Sequence, residues 1–388
     1  MPDNFHATEP LAINAGTMPP PRSPWGETWH LLLKNRMAFT GLVIFLIFFL
    51  IAVIGLFVTS GTDPILDPAQ VRLQEKLRPP LARPELTSLS PQEVPPLGIY
   101  LLGTDELGRD VFARMLQGAW VSLTVGFVAV GIAVGIGILL GGIAGYYGQQ
   151  YIRLAHVISL LVLALALILF SLGDPLAGTV VTILACLVFF AERFGRTKDR
   201  GLLRALDWID IPTMQVDTLI MRAVDIMLCF PSFFLILTVV ALLPPSLYNI
   251  MIIIGLTSWM GTTRFVRAEF LSLREQDFVA AAKALGISDW RIIFRHIMPN
   301  AVAPVLVSAT LGIASAILTE AGLSFLGFGV PPPHATWGNI LADGKDYIFD
   351  APWLTFVPGL VILVVVLAFN LCGEGLRDIM NPKLRERN

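Results

Sequence analysis

"DFVAAAKALGISDWRIIFRHIMPN", Asp277 to Asn300, decides how this chain has to be built. The sequence on either side is almost purely apolar, whereas this stretch is amphipathic and dense in charge. Phe278, Ala281, Ala282 and Leu285 recur at helical spacing and form one apolar stripe. Gly286 suits the end of that helix, because glycine accepts the left-handed cap conformation without strain. Ser288 can cap a second short helix, with Asp289 favourable at its positive end. Trp290, Ile293, Phe294 and Ile297 form the apolar face of that second helix, and Pro299 is expected to stop it. The spacing therefore predicts a compact helix-turn-helix, apolar on one side and basic on the other through Lys283, Arg291 and Arg295. Ala280, Ala281 and Ala282 offer a smooth surface to a partner's groove. Two surroundings suit such a segment: a soluble protein partner, or lipid headgroups on which an interfacial helix lies.

The sequence around it is written for lipid. Of 388 residues 55% are hydrophobic and only 14% charged, against about a quarter charged in a soluble chain, and mean hydropathy is +0.72. The net charge of -2 gives no reason to expect a nucleic acid. Runs of roughly 20 apolar residues signal membrane helices. They are Met37–Thr59, Met115–Ile152, Leu154–Gly173, Pro175–Ala191, two helices in Ile226–Thr263 split at Pro244-Pro245-Ser246, Ile297–Phe328, and Ala351–Gly373. The expectation is an all-α integral membrane protein with about eight transmembrane helices. The first run is too long for a signal-peptide core and reads as a retained anchor.

Short loops rich in Lys and Arg lie on the cytoplasmic side of membranes. Such loops follow the fourth helix (Arg193 to Arg222) and the sixth (Arg264 to Arg295), and Arg377 to Arg387 close the chain, while the loops around Gly173 and Pro244 are bare and that between Gly329 and Ala351 holds only Lys345. The loop from Ser60 to Leu97 carries Arg72, Lys76, Arg78 and Arg83 but is long and Pro-rich, and such loops weigh less in orientation. Both termini and the Asp277–Asn300 hairpin are therefore expected in the cytoplasm, and the Pro-rich stretch 60–110 outside. Gly131, Gly135, Gly137, Gly141 and Gly145 punctuate the second helix. Small residues at four-residue spacing let helices approach closely; packing and lining of a permeation path both fit. Ionisable groups at membrane depth are costly and draw attention: Glu320, Asp225 and His156, each with a structural role as the plainer reading. Phe230-Pro231 should bend the fifth helix, because proline removes a backbone donor, and local gating could reside there. Cys186, Cys229 and Cys372 form no CxxC pair, and the five histidines show no metal-ligand spacing.

Six segments, in order, resemble the dipeptide/oligopeptide/nickel branch of the ATP-binding-cassette importer permeases, and specifically its second permease subunit. They are "LGTDELGRDVFARML" (Leu102–Leu116), "MRAVDIMLCFPS" (Met221–Ser232), "LREQDFVAAAKALGISDWRIIFRHIMPNAVAP" (Leu273–Pro304), "LSFLGFGVPPP" (Leu323–Pro333), "WGNIL" (Trp337–Leu341) and "AFNLCGEGLRD" (Ala368–Asp378). Ala281, Ala282, Gly286 and Pro299 match the family's coupling motif; Ala280 replaces its Glu, His296 its Ile and Met298 its Leu. The resemblance implies a six-helix type I permease core whose coupling helices sit in an ATPase groove. It implies a homologous second permease, two ATPase subunits that hold ATP and Mg, an extracytoplasmic substrate-binding protein and a peptide substrate, all at the bacterial inner membrane. This chain would bind no cofactor itself. It contains no GxxxxGK[ST], and its only Gly-Lys pair is Gly344-Lys345, so it is not expected to be an enzyme.

The expected organisation is a tail at 1–36, a first transmembrane helix at 37–59, an outer loop at 60–110, a core at 111–149 and 217–378 with coupling helices at 269–299, and a tail at 379–388. Residues 150–216 would be an inserted hairpin plus a basic loop, either peripheral or a docking site for another subunit. Nickel, glutathione or another small solute stays open as cargo. An ion-coupled secondary transporter is the alternative of another class; it predicts an internal repeat with broken helices, which the sequence does not offer.

Overall fold

In the computed structural model, residues 33–86, 89–90, 93–153, 162–163, 165–166, 179–183 and 212–380 are described. Their framework is helical: α1 Arg36–Thr59, α2 Val111–Tyr147, α3 Val216–Leu228, α4 Ser232–Leu242, α5 Leu247–Arg274, α6 Asp277–Ala284, α7 Asp289–Ile292, α8 Met298–Phe325, α9 Trp337–Gly344 and α10 Trp353–Met380. Asn35 caps α1 by accepting from the Met37 and Ala38 amides, and Asp110 caps α2 by accepting from Phe112.

Among the described residues four helices are long and apolar enough to cross a membrane, at Arg36–Thr59, Val111–Tyr147, Pro304–Phe325 and Trp353–Ile379, and the α3–α4 pair makes a fifth if its 78° bend lies within one span. The bend falls at Cys229–Pro231, where the expected proline break was read, and α3 begins ten residues before the expected Ile226. α5, at 28 residues, is about 42 Å long but is not among these spans, its second half carrying Arg264, Arg267, Glu269 and Arg274. It lies instead along α2 and against α4 and α8. The two helices expected in 154–191 fall almost wholly outside the described residues, as does His156, so the count of eight does not follow from the described spans.

Two short strands appear, one at the expected end of a helix and one in the expected basic loop. β1 (Tyr151–Arg153) pairs antiparallel with β2 (Pro212–Gln215), Tyr151 opposite Gln215. The helix that was read as running to Ile152 ends at Tyr147, before the Gly148-Gln149-Gln150 turn. The ribbon brings 153 and 212 together, so the chain leaves the core and rejoins it at one place.

The main core joins α2, α5, α8 and α10, with Val125, Ile254, Ile317 and Val365 essentially buried. α1 packs outside it on α2 and α10 and turns Leu46, Ile47, Leu50 and Phe57 outward, as a lipid-facing helix should. The glycines of α2 divide into two sets. A Cβ on Gly137, Gly141 or Gly145 would meet α5 at 2.6 Å (Thr262 Cγ2), 2.6 Å (Thr263 O) or 2.5 Å (Phe270 Cβ), whereas Gly131 and Gly135 have nothing within 4 Å. The expected single packing set is thus corrected: Gly135 precedes Gly137 by two positions, which at 100° per residue turns it about 200° away from the seam.

Candidate functional site

At the end of the bundle opposite the 60–110 loop, α6 and α7 project as the hairpin expected from the sequence. Asp277 lies in the first turn of α6 and Lys283 in its last, both favourable to the helix dipole. Gly286 has φ +69; its N–H donates to Lys283 O at 3.0 Å and that of Ile287 to Ala282 O at 3.1 Å. These two bonds make a Schellman end, a conformation an L side chain resists. Ser288 occupies the N-cap position of α7 but makes no side-chain cap bond.

The hairpin has an inner and an outer apolar face, which corrects the single stripe. Val279, Ala282, Ile292 and Ile297 are buried against Tyr146 of α2, Val266 and Phe270 of α5, and Ala301 and Val305 of α8. Fully burying one such aliphatic side chain is worth about 1.5–3 kcal/mol, so the hairpin is firmly seated on three helix ends. Phe278, Leu285, Trp290 and Phe294 point outward, 40%, 80%, 71% and 47% exposed, with the Trp290 and Phe294 rings 4.1 Å apart. Ala280 and Ala281 lie exposed on α6; Lys283, Arg291 and Arg295 are exposed and His296 is half-buried. A large apolar patch of this kind with a basic rim marks an interaction surface.

Polar contacts fix the same seat. Tyr146 donates its hydroxyl to Asp289 Oδ1 at 2.6 Å, and the Lys283 ammonium stands 5.4 Å over the Tyr146 ring. Arg274 donates Nη1 to the carbonyls of Gly145 and Tyr146, at 3.4 and 3.2 Å, covering the free carbonyls that end α2. Arg267 of α5 is paired with Asp217 of α3 through both guanidinium edges. Pro299 does not stop the second helix. It sits in the first turn of α8 after a π turn at Ile293–Ile297, a looser turn that tolerates its missing amide donor.

At the opposite end Arg114, with a side chain only 4% exposed, bridges Asp105 at 2.5 Å and Asp343 at 2.9 Å. Arg109 adds Asp105 at 2.6 Å and Asp343 at 3.3 Å. Burial, then the neighbouring Asp105 and Asp343, push the Glu106 carboxyl above the usual range. These links tie the outer loop and α2 to α9, and the sequence reading singled out none of them individually, although Asp105, Arg109 and Arg114 stand in one of its quoted motifs. Glu320 is 1% exposed; its Oε1 accepts from Ser324 at 2.7 Å and from Thr336, the capping residue of α9, at 2.9 Å. Asp225 pairs with Arg264 at 2.6 Å, while Phe230 and Pro231 occupy the bend and are exposed.

Comparison with known proteins identifies the family. The family model "binding-protein-dependent transport system inner membrane component" matches residues 214–386, and "N-terminal TM domain of oligopeptide transport permease C" matches 23–80. The chain is 36% identical over 383 residues to the dipeptide transport system permease protein DppC of Alkalihalophilus pseudofirmus, across 97% of this chain and 98% of that one. It is 32% identical to the Haemophilus influenzae protein of the same name, across 94% and 97%. It is 30% identical to the oligopeptide transport system permease protein OppC of Bacillus subtilis, across 97% of each. With both ends of the chain matched to one permease type and the relatives aligned over nearly its whole length, the chain belongs to the binding-protein-dependent transport system inner membrane components, as a permease of the DppC/OppC type.

Proposed function

We propose that the chain is the permease subunit of an ATP-driven importer of dipeptides or short oligopeptides. It forms half of the translocation path beside a homologous permease. The observation that carries the reading is the outward apolar face Phe278–Leu285–Trp290–Phe294 on a hairpin rigidly seated on α2, α5 and α8. A lipid-bound helix needs no such seat, whereas a lever does. ATP and Mg belong to two partner ATPase subunits, and an extracytoplasmic binding protein delivers the peptide; the binding protein and ATPases are what a permease of this family requires. The hairpin enters a groove of one ATPase. Because Ala280 stands where the motif has Glu, docking relies on shape and apolar area, with Lys283, Arg291 and Arg295 at the rim.

The distribution of Lys and Arg supports placing both termini and the hairpin in the cytoplasm. Closure of the ATPases would then pull on Asp289 and Tyr146, on the Arg274 cap of α2, and on α8 through its π turn. An ATPase shifts the permease between inward- and outward-open states only as far as it binds one of them better, and the seat is what transmits that preference. Residues 150–216 are an insertion into the core, and the pairing of Tyr151–Arg153 with Pro212–Gln215 at its two ends supports that reading.

Uptake of radiolabelled dialanine into membrane vesicles carrying the complete transporter tests this. Accumulation is expected to survive a proton ionophore while ATP is supplied, and to fall to background on ATP depletion. Accumulation that survives ATP depletion but collapses with the ionophore would establish an ion-coupled carrier instead.

A further inference from the structure

Between α5 and α8, over α2, lies a groove of about 120 Å³ whose polar wall is Ser258 and Thr262 of α5 with Ser308 and Ser315 of α8, beside Gly312. Ser258 and Ser315 are exposed at its mouth, and Thr262 is buried within. Several threonines of the membrane helices show how a hydroxyl is satisfied locally. Thr59, Thr124, Thr238, Thr257, Thr263 and Thr319 each donate to the carbonyl one turn back, the usual way a helix satisfies a hydroxyl in lipid. In the groove, Thr262 and Ser308 reach only each other, at 3.5 Å, and Ser258 and Ser315 have no side-chain hydrogen bond among the described residues.

Free hydroxyls facing hydrocarbon are costly, so the surface they open on is not lipid. α1 turns Leu46, Leu50 and Phe57 outward and is packed on α2 and α10, which makes Leu46 a lipid-facing reference.

We infer that this groove is the chain's wall of the substrate path, and that Ser258, Thr262, Ser308 and Ser315 hydrogen-bond the main chain of a peptide in transit. The inference rests on the peptide-importer reading above. Each hydroxyl offers one donor and two acceptor lone pairs, which match the amide and carbonyl groups common to every peptide. No charged side chain lines the groove, so nothing there selects among peptide side chains. The cavity holds only a few water molecules by itself; a peptide fits once a facing subunit supplies the other wall.

The test uses the complete transporter with Cys186, Cys229 and Cys372 replaced by Ala. Ser258→Cys and Ser315→Cys are treated in membrane vesicles with a charged methanethiosulfonate reagent, beside Leu46→Cys on the lipid face. Both groove cysteines should be modified, at least fivefold more slowly with saturating dialanine, while Leu46→Cys stays unmodified. Groove cysteines as inert as Leu46→Cys, or modified at a rate dialanine does not change, would overturn the assignment. Ser258→Trp should lower dialanine uptake at least tenfold with the ATPases still bound, and Leu46→Trp should not; normal uptake by Ser258→Trp counts against the groove. ATP-dependent uptake by the parent vesicles separates the two levels: its absence refutes the importer reading, and its presence with unprotected cysteines refutes the groove alone.

Discussion

Leu285→Glu combined with Trp290→Glu is expected to release the ATPases and abolish uptake while the chain itself stays folded. Both side chains are mostly exposed, at 80% and 71%, so in the isolated permease each change should move stability by no more than about 0.5 kcal/mol. In the complex they would be the large apolar anchors at the centre of the contact. Truncating such an anchor costs about 2 kcal/mol or more, and two together about 4 kcal/mol, close to a thousandfold in affinity. Introducing carboxylates into the contact adds to the loss. Co-purification in mild detergent reads the result directly, with the second permease retained and the ATPases absent. Full ATPase recovery with the double variant would mean that another surface carries the contact.

Gly141→Leu should prevent the chain from assembling at all, whereas Gly135→Leu should be tolerated. A Cβ on Gly141 would lie 2.6 Å from Thr263 O, 2.8 Å from Val266 Cβ and 3.1 Å from Arg267 N. Two of these three are backbone atoms of α5 and cannot rotate aside. Gly137 and Gly145 hold the seam equally close on either side, so relief at one point requires α2 and α5 to part along several turns. Overpacking of this kind costs about 3 kcal/mol or more when backbone must move. At Gly135 a side chain meets nothing within 4 Å, and replacing a helical glycine gains up to about 1 kcal/mol in propensity. The amount of monodisperse chain recovered from membranes measures both. Equal recovery of the two variants would show that the α2–α5 seam is not as close as described.

Much of this architecture was legible because its signals are local. The apolar runs from Met37 and from Met115 announced α1 and α2, Phe230-Pro231 announced the bend, and Gly286 announced the end of α6 through a conformation that only its own backbone needs to satisfy. The parts that were not legible depend on partners far along the chain. Asp343 meets Arg114 across 229 positions and Asp289 meets Tyr146 across 143, distances over which no periodicity operates. The inward and outward faces of α6 could not be told apart because both are apolar: Phe278, Ala281 and Leu285 form one stripe, Val279 and Ala282 another. The two glycine sets of α2, by contrast, were separable by helix arithmetic alone. α5 was read as simply apolar because its hydroxyls are small and uncharged, and only packing reveals that some of them are satisfied within the helix and others face a groove.

The central claim is that the exposed face of α6–α7 touches an ATPase and not lipid. A photo-activated benzoylphenylalanine placed at Trp290 in the assembled transporter tests it most directly. One cross-linked product, this chain joined to an ATPase subunit, is the expected result. Cross-linking to lipid alone, with no protein adduct while uptake continues, would contradict it.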